Sequence, residues 1–307
     1  MIFTVTLNPA LDMISYVDTL EGHYIATEQS FKYPGGKAIN VSRMLYNLNI
    51  PSVATGFLGG YPGQFIKDWF NEKQIQSFFI DIKDDSRTNI KIKNKDSQIT
   101  IAGISPFIPN QSIEDLLFYL SRVREGDIVV MGGSIPKGVN EDIYTRIAEI
   151  CNANKAYFVA DIPAKATLDS LKLKPLLIKP NIDNLALMFD KMEGFKDEEE
   201  VIYYGQKCIE MGARNVIVSI GKEGSYLFTE KGEVYRAYGV IGNVVNSFNS
   251  RDAMIGAFIG VYMRKNDPVQ AFRRAAAAAS ATAFVEDLAN AEEVRAVEER
   301  IAVKRIK

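Results

Sequence analysis

The chain has 307 residues, 47% of them hydrophobic and 24% charged, with a formal net charge of −2 and a pI of about 5.7. That composition describes one large α/β domain, or one domain with a small appendage, and excludes a disordered chain. No block of lysine or arginine forms a stripe, so neither nucleic acid nor anionic membrane is an expected partner.

In chain order, residues 2–7 (IFTVTL) are β-branched and apolar and end at Asn8-Pro9, as a buried strand does. Residues 12–18 and 26–33 read as two short strands with mixed faces. Pro34-Gly35-Gly36 then breaks the chain before a helix over 37–48, where Ile39, Val41, Met44, Leu45 and Leu48 recur at helical spacing. A strand at 52–58, Gly59-Gly60, a helix around 64–71 and a strand at 78–82 follow. Residues 88–104 alternate apolar and polar positions about a turn at Asn94-Lys95-Asp96-Ser97, the pattern of a hairpin with one wet face. With 12–33, this segment forms a small accessory sheet contributed in two pieces.

From Ser112 the rhythm is helix 112–124, strand 127–131, helix 140–153, strand 156–160, short helix 164–172, strand 176–179, helix 197–212 and strand 215–220. Hairpin strands at 225–229 and 233–237 and helices at 268–286 and roughly 291–302 complete the chain. Such βα alternation predicts a doubly wound, mostly parallel sheet with helices on both faces. Cys151 and Cys208 lack metal or redox spacing and read as reduced core residues, and His23 is the single histidine. The N-terminus shows no basic n-region, and the apolar runs near 253–263 and 275–285 fall short of the roughly 20 residues of a bilayer span. A cytoplasmic protein is expected.

Residues 242–262 draw the other features together. A polar loop containing Asn246, Ser247, Asn249 and Ser250 leads through Arg251 and Asp252 into Ala253–Val261, which is apolar on every side. A helix with no polar face is a buried one, so Asp252 sits at the tip of a central helix. There it is either a simple helix-end residue, favoured by the dipole, or a group that does chemistry. Ligands of open α/β sheets bind outside the carboxyl ends of the strands. Asn8-Pro9, Gly59-Gly60, Gly132-Gly133-Ser134, Asp161, Pro180-Asn181 and Gly221 to Gly224 all fall on that edge. A complete P-loop is absent, since Phe31 occupies the required first glycine, and no GxGxxG motif opens a βαβ unit.

Several separated motifs, in order, carry a family resemblance. These are Thr6 to Asp12 (TLNPALD), Gly35 to Arg43 (GGKAINVSR), Arg87-Thr88-Asn89, Gly133 to Pro136 (GSIP), Lys179-Pro180-Asn181, and Ser219-Ile220-Gly221 with Gly224. Over nearly its full length the chain resembles the ribokinase-like (PfkB) carbohydrate kinases, most of all their 1-phosphofructokinase and tagatose-6-phosphate kinase branch. The resemblance implies a single ribokinase-like domain over 1–307 with a small β-sheet lid from about 12–33 and 88–104. It also implies transfer of the γ-phosphoryl group of ATP, with Mg2+, to a hydroxyl of a phosphorylated ketohexose.

Asp252 would be the base that takes the hydroxyl proton. Asp12 and Asn40 would hold sugar hydroxyls, Gly35 and Gly36 would admit the sugar close to the backbone, and Ser134 belongs to the same side. Lys37, Arg43 and Arg87 are candidates for the substrate's own phosphate, with Arg87 best placed; a solvated helix face is the alternative for Arg43. Lys179, Asn181, Ser219, Gly221, Gly224 and Arg251 would line the ATP side. Two departures from the family pattern stand out. Asn249-Ser250-Arg251-Asp252 replaces a GAGD or GSGD loop, with Asn249 expected to adopt a left-handed conformation where glycine would. Asn184 replaces the Glu of an NxxE motif that helps organise Mg2+. A working kinase and an impaired relative that binds sugar phosphate or nucleotide as a sensor are the two readings. Exposed strand edges at 88–104 offer a homodimer contact through the lid.

Overall fold

In the computed structural model, which describes residues 1–95, 97–245 and 249–307, the apolar runs become strands of a ten-stranded sheet. Its strands are β1 (Ile2–Thr6), β4 (Val53–Leu58), β5 (Gln76–Asp81), β8 (Ile128–Gly132), β9 (Tyr157–Asp161) and β10 (Leu177–Ile178). They continue with β11 (Asn215–Ser219), β12 (Gly224–Thr229), β13 (Val234–Tyr238) and β14 (Val303–Arg305). The spatial order is β14-β13-β12-β11-β10-β9-β8-β1-β4-β5. All pairs from β5 to β11 are parallel, and β12, β13 and β14 extend the sheet antiparallel. The strand β14 lies just beyond the last expected helix and has no counterpart in the sequence pattern, because it is made by the pairing of Val303 with Ala237, a contact that no local pattern announces.

Ten helices among the described residues surround this sheet: α1 (Lys37–Asn47), α2 (Gly60–Glu72), α3 (Asn110–Leu120), α4 (Ile143–Ala153), α5 (Ala164–Ser170), α6 (Ile182–Met188), α7 (Glu198–Glu210), α8 (Ser250–Lys265), α9 (Pro268–Ala283) and α10 (Ala291–Glu298). Strands buried on both faces feed two cores. Val129 and Met131 face the layer of α3 to α7, while Ile128 and Val130 face the layer of α1 and α8 to α10. This is why β8 reads as one continuous apolar run. The seven-residue helix α6 has no counterpart in the sequence reading; Asn181 starts it by accepting the Asn184 N–H at 3.0 Å. None of the described helices is long and apolar enough to cross a membrane.

A second, four-stranded sheet has the order β3-β2-β6-β7, built from β2 (Ala10–Val17), β3 (Thr27–Gly35), β6 (Arg87–Lys93) and β7 (Gln98–Ile101). It matches the two-piece accessory sheet expected from 12–33 and 88–104, with Asp96 of the expected turn outside the described residues. Its β2 leaves directly from the end of β1. The chain winds one way through β4 and β5, then returns to place β8 on the other side of β1. The reversal puts a crevice at the carboxyl ends of β1 and β8, beneath the small sheet, which is where ligands of such folds bind.

Candidate active site

The helix α8 delivers Asp252 to that crevice. Ten of its residues are buried, so its axis is fixed by packing on α1 and α9 and its first turn is held against the sheet's edge. Asn249 takes a right-handed conformation at φ −90° and not the left-handed one expected, and its carbonyl accepts from the amides of Asp252 (3.1 Å) and Ala253 (3.0 Å). The turn therefore closes as an ordinary helix start, without a glycine-like geometry. Asn246 and Ser247 of the same loop lie outside the described residues.

Asp252 is 7% exposed, and its Oδ2 accepts a hydrogen bond from Asn40 Nδ2 at 2.8 Å. Burial, then the charge of Asp161, push its carboxyl up to about 7; the Asn40 hydrogen bond, Lys179 and Lys37 oppose that rise. Asp161 ends β9, and Lys37 Nζ donates to its Oδ1 at 3.1 Å and its carbonyl at 3.2 Å. Lys179, 3% exposed at the end of β10, has its pKa pushed down by burial, with Asp161 and Asp252 pulling the other way. Buried Asp161, Lys179 and Asp252 thus share one patch, with the partly exposed Lys37 at its rim.

On one side of Asp252 lies a narrow pocket under the small sheet, lined by Asp12, Tyr33, Asn40, Arg43, Lys91 and Asn249. Asp12 is held by Asn89 Nδ2 at 2.7 Å and Lys91 Nζ at 3.0 Å. Gly35 covers it so closely that a Cβ there would lie 2.5 Å from Asp12 Cγ, and Gly36, at φ 119°, turns the chain into α1. Arg87 Nε donates to the Asn8 carbonyl at 3.2 Å, and burial lowers the guanidinium's pKa, with Asp12 opposing. Asn8 Nδ2 bridges the crevice, donating to Ser105 Oγ at 2.7 Å and Ser134 Oγ at 3.0 Å. Arg43 is neither a solvated face nor an open phosphate ligand. It is buried, ion-paired with Asp287, and stacked 5.2 Å from the Tyr33 ring and 5.4 Å from that of Trp69.

On the other side, a cavity of about 600 Å³ runs along the ends of β11 and β12, a volume suited to a small-molecule ligand. Asn181, Ser219, Gly221, Gly224 and Arg251 all line it, as do Ser250 and Asp183, and Ala276, Ala279 and Phe284 supply apolar wall. Gly224 has φ 112° and a Cβ there would lie 2.0 Å from the Ala237 carbonyl, so only glycine fits. Asn181 Nδ2 donates to Asp183 Oδ2 at 3.1 Å. Among the described residues, no group of three or more His, Cys, Asp or Glu side chains could hold a metal ion. Asp287, Lys91 and the role of Asp161 escape the sequence reading. Asp161 carries a signal, its place at a strand end, whereas Asp287 has none, being joined to the site only by tertiary contacts.

Comparison with known proteins follows the same outline. The family model of the pfkB family carbohydrate kinases matches residues 7–294. The chain is 38% identical to a 1-phosphofructokinase of Bacillus subtilis over 307 residues, 100% of both chains. It is 34% identical to a D-tagatose-1-phosphate kinase of Bacillus licheniformis over 289 residues, 94% of each. Its fold superimposes on Escherichia coli phosphofructokinase-2, solved in complex with substrates and products, with a TM-score of 0.91 over 97% of this chain and 98% of that one; at 21% identity this likeness concerns the fold. With the family match and both relatives spanning almost all of the sequence, the chain belongs to the pfkB family of carbohydrate kinases.

Proposed function

We propose that this kinase transfers the γ-phosphoryl group of ATP to a hydroxyl of a phosphorylated ketohexose of the fructose 1-phosphate or tagatose phosphate type, with Asp252 as base. The observation that carries the reading is the position of Asp252 between two unlike sites. Asn249, three residues before it, lines the narrow polar pocket, while Ser250 and Arg251 line the nucleotide-sized cavity. Asp252 lies just behind both. With the narrow pocket, about 10 Å³ as it stands, widened by movement of the small sheet, its carboxylate would meet an acceptor hydroxyl on one side and a phosphoryl group on the other, as in-line transfer requires. The relatives' names, 1-phosphofructokinase and tagatose phosphate kinases, support the substrate class.

In this reading Asp12 and Asn40 orient the sugar, and Arg87, with one N–H spent on Asn8, turns its remaining donors to the sugar's phosphate beside Lys37. Ser134, tied to Asn8, closes that side. The adenosine occupies the cavity past Ser219, Gly221 and Gly224, and Asn181 and Arg251 face the phosphates; Lys179, expected on this side, is buried beneath Asp161 and Asp252 and does not line the cavity. ATP enters as its Mg2+ complex. The donor set fits a metal carried on phosphate oxygens and water, which Mg2+ accepts readily, and not a metal caged by protein. The small sheet, residues 10–35 and 87–101, acts as the lid of a single kinase domain. Its exposed Phe31, Ile99 and Ile101 form a contact for a second copy, which sedimentation of the wild type against Ile99→Lys tests.

A second reading, binding with poor transfer, rests on the helix start. The amides of Asp252 and Ala253 are spent on Asn249, so they are withdrawn from any anion hole at this helix terminus. One assay separates the two. ADP release from MgATP is measured with fructose 1-phosphate, tagatose 1-phosphate, tagatose 6-phosphate and fructose 6-phosphate. Turnover with one of them supports the kinase; thermal stabilisation by a sugar phosphate without ADP release supports the sensor.

A further inference from the structure

Four side chains from three separate segments close into a ring at the floor of the narrow pocket. Asn249 Nδ2 donates to Asp287 Oδ1 at 3.2 Å, and Arg43 Nη2 donates to Asp287 Oδ2. Arg43 Nη1 donates to Asn40 Oδ1 at 3.2 Å, and Asn40 Nδ2 donates to Asn249 Oδ1 at 3.3 Å, completing the circuit. The same Asn40 Nδ2 reaches out of the ring to Asp252 Oδ2 at 2.8 Å.

The chemistry of the donors leaves one orientation for both amides. A guanidinium only donates, so the oxygen of Asn40 must face Arg43 and its nitrogen must face Asp252. An ionised carboxylate only accepts, so the nitrogen of Asn249 must face Asp287 and its oxygen must face Asn40. Arg43 cannot swing away, because it is stacked between Tyr33 and Trp69. The Arg43–Asp287 pair balances its own charge, so the ring delivers an N–H to the base without adding a net charge beside it.

We propose that Asp287 and Asn249 are positioning residues for phosphoryl transfer: through Arg43 and Asn40 they lock the amide that presents its N–H to Asp252. The inference rests on the reading of Asp252 as the base. It also gives the departure from a glycine loop a purpose, since a glycine at 249 has no side chain with which to close the circuit. Asp252 is faced by Asn40 and Lys37 from α1, by Asp161 from β9 and by Lys179 from β10, with Arg251 preceding it in α8. Arg43 still sets which end of Asn40 faces Asp252, but without the Asn249 acceptor the amide pivots on that single bond, which weakens its hydrogen bond to the ionised carboxylate and raises the pH at which the base is available.

The test is to titrate the Asp252 carboxyl carbon by NMR in aspartate-labelled protein, with Asp252→Asn identifying the signal, and to follow kcat/KM for fructose 1-phosphate with MgATP against pH. Asn249→Ala, which changes no charge, should move the midpoint up by about one pH unit; Asp287→Ala also bares the Arg43 guanidinium, whose charge pulls the midpoint down, so its rise should be smaller. From a midpoint of about 7, the rise in Asn249→Ala is roughly a five-fold loss of kcat/KM at pH 7, recovered by pH 9. Asp287→Glu keeps a carboxylate on Arg43 and should restore most of the wild-type profile. A midpoint unmoved in folded Asn249→Ala overturns the inference, even if its melting temperature falls. Turnover retained in Asp252→Asn overturns the base assignment, and the positioning role with it. Loss of turnover there, with no shift in Asn249→Ala, overturns the positioning role alone.

Discussion

Burial and the charge of Asp161 favour the protonated form of Asp252, while Asn40, Lys179 and Lys37 favour the carboxylate. The balance leaves this carboxyl half-ionised near neutrality, so with Asp252 as the proposed base kcat/KM should fall about tenfold per pH unit below 7. The same shift has a stability consequence. A carboxyl whose pKa rises from 3.8 to about 7 on folding holds its proton more tightly in the folded state, so stability declines as pH rises between those values. Asp252→Asn removes that decline. It should abolish turnover by at least 100-fold, yet raise the melting temperature at pH 8 by roughly 2 °C or more and leave it unchanged at pH 4. A variant that is inactive and also less stable at pH 8 contradicts this account of the site. Arg251, exposed on the cavity wall at the helix N-terminus, carries a different expectation. A cation there is mildly unfavourable without an anion, so Arg251→Ala should raise KM for MgATP about tenfold while leaving sugar-phosphate affinity unchanged. Equal changes in both would place the guanidinium elsewhere in the mechanism.

At the scale of elements, the junction of β3 with α1 is where packing and binding coincide. Asp12 on β2 is pinned by two donors from β6, and Gly35 on β3 lies directly over it. The methyl group of Gly35→Ala would land on that carboxylate, and Asp12 cannot turn aside without giving up Asn89 and Lys91. Overpacking of this kind costs about 1–3 kcal/mol, and the strain falls on a substrate-side residue. Sugar-phosphate affinity should drop at least tenfold in calorimetry while MgATP affinity holds; equal losses of both would mean general unfolding. The sequence made such elements legible wherever burial is local. The continuous apolar runs of β1, β8 and β9, the alternating β6 and β7, and the apolar middle of α8, residues 253–261, follow from period alone. The helix α6 and the strand β14 did not follow, because a cap and a cross-strand partner create them. Arg43 shows the same limit within the site. The sequence offers it as a phosphate ligand or a solvated helix face, whereas its burial depends on Tyr33, Trp69 and Asp287, which no helical pattern reveals.

Across the whole molecule, the short segment after α9 links parts that the sheet topology keeps apart. Phe284 lines the nucleotide-sized cavity and packs where a Cβ at Gly242 would strike its ring. Glu286 accepts a hydrogen bond from Tyr16 on the small sheet, and Asp287 holds Arg43 of α1 and Asn249 just before Asp252. Filling the cavity against Phe284 therefore acts on a backbone that also carries the contact to the small sheet. Two ligands that each favour one arrangement of this segment must favour one another, by the reciprocity of binding free energies. A non-hydrolysable ATP analogue should tighten fructose 1-phosphate binding about five-fold or more, and fructose 1-phosphate should tighten the analogue by the same factor. Tyr16→Phe removes the hydrogen bond between the small sheet and this segment while leaving the ring, so each ligand alone should bind within about twofold of wild type. The mutual enhancement should fall below about twofold, because its mechanical link is cut and its binding groups are not. Calorimetric titration of each ligand, with and without the other, in both proteins supplies the four affinities. Enhancement that survives intact in Tyr16→Phe would show that the two sites communicate through Asp252 and the bound ligands themselves, and not through the segment that follows α9.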